Sequence, residues 1–348
     1  MNQNSLLKKI EDYVSLDKLP DDRTAMEELD EAVSVLENET AFYRPVKRNG
    51  KCGALLDFTK NTLPVILVPD LHGRKDFLLN LLKLDVSSLK KTGAFDGTAF
   101  SSAGCRVADL LAEKEIIVVC VGDGIHSEKR GRMRWMQAYE DWKCSAAAGP
   151  SMQEEMKENI ATMRAVMELK KIFPENFHFL KGNHENILNS SENGNLPFYK
   201  YANEGQMTCD FIRQVYGDAV LYLISLWEKN LPLCCVFKDF CVSHAEPEKF
   251  YTRKKIIEGS GEVVHSFTWT DNDAADEGCV QKLFKELTGL DKEKALWFGG
   301  HRPVRDKFYL RQNGSYVQFH NPEKMNVAVV GRASDFDPEK SIISVISN

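Results

Sequence analysis

Five short apolar runs in this chain stop in the same way. Residues 177–180 run into Lys181-Gly182-Asn183-His184-Glu185, residues 63–68 into Pro69-Asp70-Leu71-His72-Gly73, and residues 116–121 into Gly122-Asp123-Gly124. Residues 240–243 run into His244-Ala245-Glu246-Pro247, and residues 295–298 into Gly299-Gly300-His301. Runs of this length, rich in aliphatic and β-branched side chains and bounded by turn formers, read as buried strands. A strand that releases Asp, His or Asn as it leaves the hydrophobic layer delivers those groups to the edge of a sheet, where α/β proteins bind their ligands. The chain is therefore expected to be α/β, with polar side chains from distant segments gathered at one sheet edge.

Between these runs the apolar period changes to three and four. Phe77, Leu78, Leu81 and Leu82, then residues 152–172 and 211–227, read as helices. The first fifty residues are charge-rich and helical in period: Asp21 and Asp22 follow a proline and can cap a helix whose apolar stripe is Met26, Leu29, Val33 and Leu36. Residues 1–54 are thus expected to form a helical extension packed on a main domain, residues 55–348. Residues 85–113 read as a variable connection and 189–195 as a polar loop. Residues 126–150 look inserted: Trp135, Tyr139 and Trp142 share a helix face, and Lys129, Arg130, Arg132 and Arg134 crowd its start. That pattern fits a lid over a substrate, and equally plain packing or a subunit contact. Lys238-Asp239 and Asn313-Gly314 mark two hairpins, and residues 325–330 and 342–346 read as closing strands. With no internal repeat and no linker, one elaborated α/β domain is the expectation.

Composition excludes several classes of function. With 348 residues, 43% of them hydrophobic, the chain can bury a sizeable core, and a net charge of -6 offers nothing to nucleic acid or an anionic membrane. A phosphate-bearing substrate must be attracted locally, by metals or a few arginines. No stretch has the length of a signal peptide or the roughly 18 apolar residues of a membrane span, so a cytoplasmic location is expected. The nine cysteines agree. Their number is odd, no CxxC spacing occurs, and Cys120, Cys234, Cys235 and Cys241 lie in apolar runs where a reduced thiol acts as a small hydrophobe.

The polar residues after the strands define the chemistry. Asp70, His72, Asp123, Asn183, His244 and His301 are two carboxylates, three imidazoles and one amide carbonyl. This hard-to-borderline set suits divalent manganese, iron, zinc or nickel and suits copper(I) or an iron-sulfur cluster poorly. It is large enough for two ions if one carboxylate bridges them.

In this order, Asp70-Leu71-His72-Gly73, Gly122-Asp123, Gly182-Asn183-His184-Glu185, Ser243-His244 and Gly300-His301 resemble the motifs of calcineurin-like metallophosphoesterases, over residues 65–304. The resemblance implies a four-layer α-β-β-α sandwich of two mixed sheets flanked by helices. It implies a dinuclear site, with Asp70 and His72 on the first metal, Asp123 as the bridge, and Asn183, His244 and His301 on the second. Manganese leads the expected metals, with iron, zinc and nickel as the others, and a hydroxide between the ions is expected to attack phosphorus. His184 is expected to protonate the leaving alkoxide. His178, His265 and His320 receive no role from the pattern.

Two details point within the family. Gly300-His301-Arg302-Pro303-Val304 has a proline where many phosphodiesterase branches have the second histidine of Gly-His-x-His. This and Lys181-Gly-Asn-His-Glu are similar to the phosphoprotein-phosphatase branch, which includes serine/threonine phosphatases and diadenosine tetraphosphate hydrolases. That branch carries Gly-Asp-x-x-Asp-Arg-Gly, whereas this chain has Gly122-Asp123-Gly124-Ile125-His126-Ser127-Glu128. His126 therefore replaces the aspartate that orients the catalytic histidine, and Ser127 the arginine that binds substrate. Glu128 or a residue of the insertion is the expected substitute for the carboxylate. Arg74, Arg130 or Arg302 is expected at the phosphate, with His126 beside it. The expected partner is a phosphorylated small molecule, nucleotide or phosphoprotein. The first reading is a phosphatase of phosphomonoesters, including phosphoserine or phosphothreonine on proteins. The alternatives are a hydrolase of dinucleoside polyphosphates and a metal-holding scaffold that has lost catalysis.

Overall fold

Alternate residues of a strand face opposite sides of its sheet, and here both sides are apolar. A computed structural model describes residues 3–15, 17–94, 104–291 and 295–346. Its strands are β1 (Leu55–Phe58), β2 (Val65–Val68), β3 (Ile117–Cys120), β4 (Phe177–Phe179), β5 (Cys234–Phe237), β6 (Phe240–Ser243), β7 (Leu296–Gly299), β8 (Tyr309–Arg311), β9 (Tyr316–Gln318), β10 (Asn326–Val330) and β11 (Ile342–Ser344). They form a six-stranded sheet in the order β1-β5-β6-β7-β9-β8 and a five-stranded sheet in the order β11-β10-β2-β3-β4. Val65, Leu67, Ile117 and Val119 of one sheet pack against Cys235, Phe237, Val242 and Phe298 of the other. Their neighbours point outwards. Ile66, Val68, Val118 and Cys120 meet the helices Pro150–Ile172 and Glu204–Asn230. Cys234, Val236, Cys241 and Trp297 meet the helices Gly261–Thr268 and Cys279–Thr288. The four-layer sandwich of two mixed sheets is thus present.

Both hairpins form, β5 with β6 and β8 with β9. Strand β1, which the sequence pattern did not reveal, pairs in parallel with β5. The cysteines of the apolar runs are buried free thiols. No helix among the described residues is long and apolar enough to cross a membrane.

The N-terminal helices Gln3–Ser15 and Asp22–Glu37 lie on the outer helical layer. Asp21 caps the second, accepting from the Thr24 N–H at 2.9 Å. Its buried face is Ala25, Leu29, Ala32, Val33 and Leu36, and Met26, expected on that stripe, is exposed. Helix Arg132–Lys143 turns Trp135 wholly into the core, and Trp142 Nε1 donates to Asp210 Oδ2 at 3.0 Å. Of the aromatic face of the inserted segment, Trp135 is buried, and Tyr139 and Trp142 are partly buried against the same core.

A buried charge network ties Glu39 and Arg44 to the helix Pro150–Ile172 and strand β4. The Glu39 carboxylate accepts from Arg44 and from Lys170, whose Nζ also donates to Pro174 O at 2.7 Å and to His178 Nδ1 at 3.1 Å. Glu39→Gln leaves two buried cations without their carboxylate and is expected to destabilise by about 3–5 kcal/mol. The exposed Glu27→Gln is expected to change stability by under about 0.5 kcal/mol, a contrast that urea unfolding measures. Burial, and then Lys170, hold His178 down at about 4. The unfolded chain therefore binds this proton first, from about pH 6.5 downward. Stability is expected to fall as pH drops from about 6.5 to 4, and His178→Gln to make that slope shallower in pH-dependent unfolding.

Candidate metal centre

Strands β2, β3 and β4 run parallel, and so do β6, β7 and β9. Their carboxyl ends meet at one edge of the sandwich. Asp70 and His72 follow β2, Asp123 follows β3, Asn183 follows β4, His244 follows β6 and His301 follows β7. The loops that carry them are bent sharply. His72, Asp123 and His301 have φ of 45°, 50° and 62°, the left-handed region in which a non-glycine residue costs about 1–3 kcal/mol. Two glycines allow the close approach: a Cβ on Gly300 would fall 1.9 Å from Asp70 Oδ1, and one on Gly182 2.2 Å from Asp123 Oδ1. Glu185 clasps the loops after β3 and β4, accepting from the N–H groups of Asp123 at 2.9 Å, Gly124 at 2.9 Å and Gly182 at 2.6 Å.

Two groups of donor atoms share Asp123. In one, Asn183 Oδ1 lies 2.9 Å from both His244 Nε2 and His301 Nδ1, and these nitrogens are 3.2 Å apart. Asp123 Oδ2 is 3.4 Å from His244 Nε2. In the other, His72 Nε2 lies 3.6 Å from the same Asp123 Oδ2 and 3.9 Å from Asp70 Oδ2. All six residues expected from the sequence are thus brought together.

Two further residues stand in the second group. His320, which the sequence pattern left without a role, is wholly buried with Nε2 3.9 Å from Asp70 Oδ2 and 3.2 Å from Glu128 Oε2. Its signal was a weaker form of the familiar one: a strand-like run, residues 316–319, interrupted by Gln318, ends in His320-Asn321-Pro322. Glu128, expected beside His184, instead places Oε1 3.7 Å from His72 Nε2.

Among the described residues no carboxylate pairs with Nδ1 of His184, on the far side of its ring. Its main-chain N–H donates to Asp123 Oδ1 at 2.9 Å, its ring Nε2 lies 3.8 Å from Asp123 Oδ2, and its ring Nδ1 is buried with no hydrogen-bond partner among the described residues. The ring is held by packing, with centroids 4.5 Å from Phe198 and 5.0 Å from His126. His126 in turn stacks on Trp135 at 5.2 Å, accepts from the Glu128 N–H at Nδ1, and points Nε2 towards Glu204 at 3.6 Å. Burial, and then the neighbouring imidazoles of His126 and His72, hold His184 well below the usual histidine range.

The arginines divide. Arg74 faces main-chain carbonyls throughout, donating to those of Leu71, Asp70, Asn321 and Lys324, so it braces loops and offers nothing to a phosphate in the cleft. Arg130 pairs with Glu158 and donates to His72 O at 3.3 Å. Arg302, paired with Asp271, stands at the mouth of a cleft of about 420 Å³ that reaches Asp123, Asn183 and His184. Lys200, which no motif marked, lines the same mouth with Phe198 and Trp269.

A family model for the calcineurin-like phosphoesterases matches residues 63–331. The chain belongs to the calcineurin-like phosphoesterase family. None of the curated proteins compared with it matches at the significance required. Among solved structures, a protein serine/threonine phosphatase from Saccharomyces cerevisiae, with similarity to human PP5, superposes with a TM-score of 0.53 at 14% identity, covering 99% of this chain and 95% of that one. At that identity the likeness shows the fold. A cold-active protein-tyrosine phosphatase of a psychrophilic Shewanella gives 0.41 at 12% identity over 78% and 76% of the two chains. A putative diadenosine tetraphosphatase gives 0.39 at 14% over 84% and 97%.

Calcineurin-like phosphoesterases depend on metals, and the donor set of this phosphoesterase fits a cation. Asp70 is wholly buried and neither of its oxygens accepts a hydrogen bond, a position that an ionised carboxylate cannot hold without a counter-charge. His72 Nδ1 and His244 Nδ1 face the carbonyls of Ile125 and Val121 at 3.1 Å and 3.2 Å, which fixes the ring protons there and turns both Nε2 lone pairs inwards. Burial lowers His72 to about 3 and His244 to about 4, so both are neutral at neutral pH. Burial, then Glu185 and Asp70, push the Asp123 carboxyl well up, a penalty that a cation reverses. Asp70→Asn is therefore expected to change sign in its effect on thermal unfolding: stabilising in metal-stripped protein and destabilising with manganese present. Wild type is expected to gain about 2–4 kcal/mol from metal at 100 to 1,000 times its Kd.

Proposed function

We propose that this phosphoesterase is a dinuclear metal-dependent phosphatase that hydrolyses phosphomonoesters, with phosphoserine and phosphothreonine side chains among its candidate substrates. The observation that carries the reading is the sharing of Asp123 Oδ2 between two donor groups, with His72 Nε2 at 3.6 Å on one side and His244 Nε2 at 3.4 Å on the other. Asp70 and His72 would hold one ion, Asn183, His244 and His301 the other, and Asp123 both. Bound divalent ions supply an acidified water and neutralise charge on a phosphoryl group.

The chain's own groups do the rest. Arg302 and Lys200 attract the phosphate at the cleft mouth, and Phe198 narrows the approach to the donor cluster. His184 Nε2, on the Asp123 side of the cleft, delivers a proton to the departing oxygen. Removing the ring is expected to hurt poor leaving groups most. His184→Ala is expected to lower kcat about 10²–10⁴-fold on an alkyl phosphate and much less on an aryl phosphate, while Asp123→Asn abolishes turnover of both. Phosphate release in manganese checks this, and inert wild-type enzyme across a broad phosphoester panel would sink the reading, leaving a metal-holding scaffold.

A second reading is favoured by Tyr199 and Trp269, aromatic side chains that line the cleft and offer faces on which a base can stack. It is hydrolysis of dinucleoside polyphosphates. Chromatography of the products from diadenosine tetraphosphate separates the two: nucleotide products at rates above those for phosphomonoesters favour this reading.

A further inference from the structure

Resting on the dinuclear reading, this inference concerns which residues complete the first ion's site. His72 Nε2 presents a lone pair, because its ring proton lies on Nδ1 against the Ile125 carbonyl. Around that lone pair stand Asp123 Oδ2 at 3.6 Å, Glu128 Oε1 at 3.7 Å and Asp70 Oδ2 at 3.9 Å. Three carboxylate oxygens therefore stand within 3.9 Å of that lone pair. Donors bound at about 2.0–2.2 Å to one ion stand roughly 3–4 Å from one another, and the three separations from His72 Nε2 fall in that range, while ligand atoms of Asp70, His72 and His320 lie within 4.8 Å of one another.

His320 closes the same space from the opposite sheet. Strand β9 runs parallel to β7, so its carboxyl end emerges beside that of β7, and the Val304 N–H donates to His320 O at 2.8 Å. The segment bearing Pro303, where a second histidine of a Gly-His-x-His motif would stand, thus lies next to His320. Its Nε2 is 3.2 Å from Glu128 Oε2 and 3.9 Å from Asp70 Oδ2. Glu128 is held there with φ of 52°, a strained backbone that a surface acid has no reason to adopt. A simple His320–Glu128 ion pair leaves Asp70 and Asp123 uncompensated. Of the cations nearby, Lys200 is an exposed side chain that reaches Glu128 Oε1 at 3.6 Å, and the buried Arg74 guanidinium, close enough to Glu128 and Asp70 to feel both charges, gives its hydrogen bonds to main-chain carbonyls.

We propose that His320 Nε2 and the Glu128 carboxylate are ligands of the first metal ion, with Asp70, His72 and the shared Asp123. The two sites then differ in charge. The first has two carboxylates of its own, whereas the second has an amide and two imidazoles and borrows its only carboxylate. The first ion is accordingly the tightly held one and the second the exchangeable one.

The test is metal content by plasma mass spectrometry on full-length protein loaded with manganese, then dialysed against graded chelator. Wild type is expected to hold two equivalents at saturation and to keep one through chelation that removes the other. His320→Gln and Glu128→Gln, folded by circular dichroism, are each expected to lose that retained equivalent. Folded variants that keep it would overturn the proposal. A second measurement needs no variant: cobalt-loaded wild type is expected to show four hyperfine-shifted imidazole N–H resonances, from His72, His244, His301 and His320, and three would overturn it. If wild type hydrolyses phosphoesters and binds two ions but gives three such resonances, this inference alone fails. If it takes up no metal, the dinuclear reading fails with it.

Discussion

Several carboxylates and imidazoles are held at one sheet edge with their lone pairs facing one another, and the rest of the architecture answers to that repulsion. Like charges drift apart or take up protons unless the scaffold is stiff. The stiffness here is identifiable. His72, Asp123, Glu128 and His301 sit in left-handed conformations, Gly182 and Gly300 let backbone press against the carboxylates, and Glu185 joins two loops through three main-chain N–H groups. Behind them, two sheets packed on both faces supply the rigid frame.

Much of this was legible in the sequence because its signals are local. An apolar run and a ligand-type residue lie within ten positions, and five repetitions of that pattern located six of the converging side chains. What was missed depends on pairings between distant segments. Leu55–Phe58 contains Asp57 and becomes a strand only through β5. His320 ends a strand read as half of a hairpin, and its place in the site follows from the parallel pairing with β7. Arg74 stands beside a metal motif yet turns to carbonyls near residues 321 and 324. The stripe of Trp135, Tyr139 and Trp142 fitted a lid and a packed helix alike, since helical period says which residues share a face and not what that face meets. On helix Asp22–Glu37 the buried face includes Ala25 and Ala32, whose small side chains gave a weaker signal than Met26.

The change at positions 126–128 has a coherent physical outcome. A carboxylate behind a catalytic imidazole favours its protonated form, whereas the stack of Trp135, His126 and His184 fixes orientation without adding charge. Glu128, released from any role behind His184, lies among the first group of donors. Orientation and charge, which one aspartate could serve together, are divided in this chain between an aromatic stack and a displaced acid.

Strand β1 also bears on how the protein is made. It precedes the other described strands in the chain and is an edge of its sheet, yet its partner β5 begins about 180 residues later. Until then a hydrophobic strand with unsatisfied N–H and C=O groups waits unpaired. Synthesis that stalls before Leu233 leaves a chain with a sticky edge and three strands of the second sheet, so this molecule's window of vulnerability to aggregation is set by the order of its segments more than by the stability of the finished fold.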